Sequence, residues 1–149
     1  MALMLPLLLL ILFGIIDLGY YIYSYGTIYQ AARNGTEKAA ELPPYPSKIS
    51  PSLNTGDDCV NAILRATETG AVLFPDIANS VQLSYPNNTR ALGEPIQVEI
   101  TYNIQPLTPL FRFVAFGNQG VMTVHVQARR SIESLGDNPN YANGVACQP

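Results

Sequence analysis

No lysine or arginine precedes Arg33 in this chain of 149 residues. A cleaved secretory signal carries a basic n-region, a short apolar h-region and a small-x-small cleavage site. Here the apolar stretch outruns an h-region, and nearby candidate sites place Tyr29 or Gln30 where a small residue belongs. The segment therefore reads as retained. Charge is sparse throughout: 13% of residues are charged, the formal net charge is -3, and no basic cluster forms. Nucleic acid is not an expected partner.

Histidine occurs once, at His125, and no motif places a nucleophile or carboxylate beside it. GxSxG, HExxH and P-loop patterns are all missing, so neither an enzyme nor a cofactor is expected. The two cysteines, Cys59 and Cys147, lie far apart and share no CxxC or Cys/His spacing, which argues against zinc. A Cys59–Cys147 disulfide is expected if that region lies outside the cytoplasm; the alternative is two unpaired thiols. Asp57-Asp58 and the "DNPNYAN" tail lack the ligand count and the closing carboxylate of a calcium loop, so no metal site is expected.

What the chain does have is "LLLLILFGIIDLGYYIYSYG", Leu7 to Gly26, apolar and aromatic apart from Asp17 and a few hydroxyls. A charge at the centre of a bilayer costs roughly 2.5–3.5 kcal/mol on insertion scales. Nothing strongly breaks a helix from Met1 to about Leu42 except Pro6, which sits in the first turns where proline is tolerated. The stop comes at Pro43-Pro44, with Pro46 and Pro51 following. Some 40 helical residues make a rod of roughly 60 Å, and its first half is apolar enough to cross a hydrocarbon core of ~30 Å. The second half, "TIYQAARNGTEKAAEL", offers Ile28, Ala31, Ala32, Gly35 and Ala39 as a small-residue face that something must cover in water.

Beyond the connector, "GDDCVNAILRATETG" predicts a short helix capped by Asp57 and stopped at Gly70. From Pro75 the period changes to two. Val81, Leu83 and Tyr85, then Ile96, Val98, Ile100 and Tyr102, then Met122, Val124, Val126 and Ala128 alternate with polar residues. "YPNNTRALGEP" is a hairpin-like loop, and "QPLTPLFRFVAFGNQG" a longer apolar excursion. The expected class is α+β: a long N-terminal hydrophobic helix, a short helix and a small antiparallel sheet. The expected organisation is residues 1–42 as transmembrane or filament-core helix, 43–56 as proline-rich connector and 57–149 as a small α+β extracellular domain.

The run "ALMLPLLLLILFGIIDLGYYIYSYGTIYQAARNGTEKAA" resembles the N-terminal signature of the Tad-type (TadE-like) pilin and pseudopilin family. That family has an ALxLPLLLLLLFGII(D/E)-type run and an aromatic-rich stretch. A segment then follows that is matched here by Gln30, Ala31, Ala32, Arg33, Gly35, Ala39 and Ala40. "VEITYNIQPLTPL" and "VMTVHVQARRSIE" resemble its closing strands. The resemblance covers Ala2–Ala40 and Val98–Glu133. It implies an inner-membrane prepilin-like protein, cleaved by a prepilin peptidase and joined to other subunits through its long helix by the pilus assembly machinery. The family also carries a glutamate just before the leucine run and a cleavage-site glycine ahead of it; neither stands in this sequence. Either residues ahead of Met1 supply them, or the processing step does not apply.

Stepping along the helix from Asp17 defines one stripe: Leu3, Leu7, Leu10, Gly14, Asp17, Tyr21, Ser24, Ile28, Ala31 and Gly35. Small residues on such a stripe let helix backbones approach closely. The stripe is expected to pack against copies of the same chain, with Asp17 hydrogen-bonded at the contact by Tyr21 or by a neighbour's group. The competing reading is that Asp17 snorkels at a membrane edge, since Tyr20, Tyr21, Tyr23, Tyr25 and Tyr29 follow as an aromatic belt. Asn87-Asn88-Thr89 and Asn34-Gly35-Thr36 are N-x-[ST] triplets, so Asn87 and, less favourably, Asn34 are candidate glycan acceptors.

Three functional readings follow. The first is a structural subunit of an extracellular Tad-like (type IV-related) pilus filament, inserted in the cytoplasmic membrane before assembly. The second is a minor pseudopilin that stays anchored and primes assembly. The third is a membrane-anchored extracytoplasmic enzyme or binding domain.

Overall fold

The computed structural model describes residues 4–108, 120–136 and 147. Helix α1, Met4–Glu41, runs for 38 residues. Its leucine-rich start, with proline confined to the first turns, favours unbroken helix. Ser24, Thr27 and Thr36 return their hydroxyls to the carbonyls of Tyr20, Tyr23 and Ala32, four residues back. These polar side chains are thus satisfied without an outside partner. The helix closes with Leu42 N–H donating to the Lys38 carbonyl at 2.9 Å, and Pro43 then prevents continuation.

Two further helices follow. The one-turn α2 is Pro46–Ile49 within the proline-rich connector, where proline at the first helical position starts a turn but not a long helix. Helix α3 is Asp58–Thr69, and the Asp57 carboxylate caps it by accepting from Val60 N–H at 3.0 Å. A 3-10 turn, Ile77–Ser80, leads into the sheet. Strands β1 (Val81–Ser84), β2 (Pro95–Ile104) and β3 (Met122–Ser131) form a three-stranded antiparallel sheet in the order β1-β2-β3. The β1–β2 register sets Val81 opposite Ile100 and Leu83 opposite Val98, placing four apolar side chains on one face. The α+β class expected from the sequence is the class observed.

The chain divides into two compact units, Met1–Thr27 with Tyr102–Val124, and Ile28–Thr101 with His125–Pro149. In the second unit the core is made by Ile28, Ala31, Ala32, Ala39 and Ala40 of α1, Val60 and Ile63 of α3, and Val81, Ile96, Val98, Ile100 and Val126 of the sheet, all buried. Gly35 is the closest approach: a Cβ there would lie 2.4 Å from Thr67 Oγ1 and 3.7 Å from Val98 Cγ1. Thr67 is itself held, donating its hydroxyl to the Ile63 carbonyl at 3.0 Å. A Gly35→Val variant is therefore expected to lose about 1–3 kcal/mol to overpacking, read as a lowered urea midpoint with an unchanged m-value. Wild-type stability in that variant would rule out the tight α1–α3 contact.

The end of α1 is fastened by loops of the same unit. Tyr85 donates its hydroxyl to the Pro44 carbonyl. Arg90 donates to the carbonyls of Pro43 and Leu135 and stacks on the Tyr45 ring, 4.0 Å from its centroid. Glu133 N–H bonds the Ala40 carbonyl at 2.9 Å, and the Ser134 hydroxyl bonds that of Glu41. Burial raises the Tyr85 phenol well above its usual range, with Arg90 opposing, so Tyr85 stays a donor at any physiological pH.

Candidate functional site

Asp17 is fully buried, although it stands in the most apolar stretch of α1. Its partners lie about ninety residues away and in the same unit. Leu107 N–H and Thr108 N–H both donate to Asp17 Oδ1 at 3.0 Å, and the Thr108 hydroxyl donates to Oδ2 at 2.5 Å. The local sequence explains the match. In "QPLTPL" the prolines at 106 and 109 carry no N–H, which isolates Leu107 and Thr108 as two adjacent backbone donors with no strand to pair with. One carboxylate oxygen takes both amides and the other takes the hydroxyl, an arrangement that suits a carboxylate as acceptor. One turn further along α1, Tyr21 is buried and donates to the Gly120 carbonyl. Two successive inward positions of α1 thus hold chain from both sides of residues 109–119, which lie outside the described residues.

The rest of the stripe divides in two. Asp17, Tyr21 and Ser24 are buried in the first unit, and Ile28, Ala31 and Gly35 in the second. Leu7 and Leu10 are exposed, Gly14 is half-buried with open space where a Cβ would go, and Leu3 lies outside the described residues. Around that open portion, Met4, Leu5, Leu8, Leu9, Ile11, Leu12, Ile15 and Ile16 are also exposed. Of the belt, Tyr23, Tyr25 and Tyr29 are exposed and Tyr21 turns inward. By length and composition α1 can cross a membrane.

Residues 1–37 match the family model of TadE-like proteins. The match is a likeness to TadE-like proteins over that segment alone, and a Tad pilus association is what the likeness suggests. No curated protein and no solved structure matches the chain. The TadE-like segment ends inside α1 and includes the exposed apolar side chains of that helix together with Asp17 and Tyr21. Its apolar character fits membrane insertion.

The other positions singled out from the sequence are scattered. Cys59 and Cys147 are joined by a disulfide with Cα atoms 5.4 Å apart, buried with Leu42 and flanked by Tyr45 and Ala62. Gly136 lies against it with φ +65°, a left-handed conformation, and a Cβ there would stand 2.7 Å from Cys147 Sγ. Asn87 is exposed in the turn after β1 and donates to Glu94 Oε2 at 2.6 Å. Asn34 is half-buried on α1 and accepts from Gln30 Nε2 at 3.2 Å. His125 pairs with Thr101 Oγ1 at 3.0 Å. No group of three or more potential metal ligands occurs among the described residues.

An open groove of about 1110 Å³ runs along the free edge of β1, bounded by α2 and α3 and lined by Arg65, Glu68, Asn79, Gln82 and Tyr85 among others. Sequence reasoning located Asp17 but not Leu107, Thr108, Gly120 or Arg90. For Leu107 and Thr108 the sign was present: two N–H groups stranded between prolines beside an unexplained acid. Arg90 carried no local sign, because its acceptors are backbone carbonyls brought together only by folding.

Proposed function

We propose that this protein is a structural subunit of a Tad-like pilus filament, held in the cytoplasmic membrane by α1 before assembly and carried outside the cell within the filament. One observation carries the reading: large apolar side chains surround α1 from Met4 to Ile16 and the chain itself leaves them uncovered, on a segment that matches TadE-like proteins. Such a surface needs lipid or other helices around it. Leu7, Leu10 and Gly14 form the part of the stripe that is open to copies of the same chain, with Gly14 allowing close backbone approach, and Leu3 extends that stripe in the sequence. Because the stripe positions from Asp17 to Gly35 are already buried within the chain, contacts made by the stripe between subunits concentrate on the first four turns. A prepilin peptidase and the pilus assembly machinery are the further partners, and Asn87 is the acceptor if a surface glycan is present.

A sheared surface preparation from the native host tests this. Filaments visible by electron microscopy and containing the chain as their main band are expected. Leu10→Arg should abolish them while the Cys59–Cys147 disulfide still forms. Retention of the chain in the membrane at low copy, with filaments made of another protein, would favour the anchored pseudopilin that primes assembly. The groove beside β1 favours the remaining reading, an anchored extracytoplasmic binding domain, and an active monomer lacking α1's apolar half would support it.

A further inference from the structure

The position of Asp17 along α1 dictates the depth of whatever is fastened to it when the helix is in a membrane. Large apolar side chains are exposed on both sides of Asp17: Ile15 and Ile16 before it, Leu18 and Ile22 after it. The exposed tyrosines, Tyr23, Tyr25 and Tyr29, all stand further toward the C-terminus. Tyrosine gathers at the level of lipid headgroups. At 1.5 Å per residue, Tyr23 lies about 9 Å beyond Asp17 and Tyr29 about 18 Å. Helical side chains lean toward the N-terminus, which moves the Asp17 carboxylate further still from that belt. Asp17 is therefore on the lipid side of the tyrosines, and so is the turn that it holds.

Non-helical backbone at membrane depth is tolerated only where protein satisfies its polar groups. The donors of the Leu107–Thr108 turn are satisfied in this way: both N–H groups and the threonine hydroxyl end on Asp17. Thr108 is buried, whereas the Leu107 side chain is 64% exposed, close to the 60% of Leu18 on the helix itself. The turn thus directs its donors to α1 and an apolar side chain outward.

We propose that the Leu107–Thr108 turn is a re-entrant membrane element, lying beside α1 on the lipid side of the tyrosine belt with Leu107 against acyl chains. Asp17 is the acceptor that makes non-helical backbone tolerable at that depth. The proposal rests on the membrane-held stage of the function above and adds a second point of lipid contact to the helix.

The chain contains no tryptophan, so each of Leu107→Trp, Leu18→Trp and Tyr29→Trp introduces a single fluorophore. The full-length variants are reconstituted in phosphatidylcholine vesicles, with brominated acyl chains as the lipid-side quencher and iodide as the aqueous one. Leu107→Trp is expected to lose emission to brominated lipid as fully as Leu18→Trp, with blue-shifted emission and little response to iodide, whereas Tyr29→Trp responds to iodide. Adding Asp17→Leu should make Leu107→Trp iodide-accessible and leave Leu18→Trp in lipid. Quenching of Leu107→Trp by iodide alone, or by neither agent, while Leu18→Trp is lipid-quenched, would overturn the re-entrant turn and leave the membrane helix standing. Unchanged quenching on adding Asp17→Leu would overturn the role of Asp17. Should Leu18→Trp itself escape the brominated lipid, the membrane reading of α1 fails and the proposal fails with it.

Discussion

Asp17→Leu is expected to have opposite effects on the two halves of its own site. Helix insertion improves by about 3 kcal/mol, because a buried acid is replaced by one of the residues most favourable in lipid. The turn at Leu107–Thr108 loses the carboxylate that accepts from its two backbone N–H groups and its hydroxyl. Each polar group left buried and unsatisfied costs about 1–3 kcal/mol, so the turn should detach rather than stay in place. Hydrogen exchange checks this: the amides of Leu107 and Thr108 should lose their protection while those of β2 keep theirs. Asp17→Asn, which retains one carbonyl oxygen, should fall between the two. If Asp17 merely reached toward a membrane edge, neither substitution would alter exchange at residues 107 and 108. Under the filament role proposed above, release of the turn should also lower filament yield in the host, because the first unit would present different surfaces to a neighbour.

The second large effect is expected from Cys147→Ser. The disulfide links residues 88 apart in sequence and closes the chain behind a small sheet that sits at the lower limit of independent stability. Its loss typically costs about 2–5 kcal/mol in a small exported domain, through the freedom restored to the unfolded chain and the packing lost around the bridge. Here the packing comprises Leu42 and the partly buried Tyr45 and Ala62, at the junction of α1 with the connector. The α1 terminus is also fastened by Tyr85, Arg90, Glu133 and Ser134, so the variant should remain folded at low temperature. Its urea midpoint should fall. A midpoint equal to wild type under oxidising conditions would show that the bridge adds nothing to stability.

Much of this architecture is legible in the residues alone, for local reasons. Unbroken leucine and isoleucine with a proline pair at 43–44 place the end of α1 within a residue of Glu41, because the proline ring forbids continuation whatever surrounds it. Asp57 caps α3 as its position before an apolar period suggests, since a cap needs only an N–H three residues on. The alternation of Val81, Leu83, Ile96, Val98 and Ile100 marks β1 and β2 because one face of each must be dry. The one-turn α2 and the 3-10 turn at Ile77–Ser80 are less legible, being too short to show a period.

The partner of Asp17 belongs to a different order of information. The acid itself is conspicuous in the sequence, and so in retrospect are the two amides stranded by the prolines at 106 and 109. Joining them requires a contact across ninety residues, which no propensity or spacing encodes. The same holds for Gly35 against Thr67 and for Arg90 reaching two loop carbonyls. By itself the sequence determined a long apolar helix of TadE-like character, a capped second helix, an alternating sheet and a cysteine pair, since each follows from backbone chemistry within a few residues. Only the tertiary structure decided that the acid in that helix serves a turn of its own chain. A buried carboxylate takes whichever donors the fold leaves unpaired beside it, and those are known only when the chain has closed.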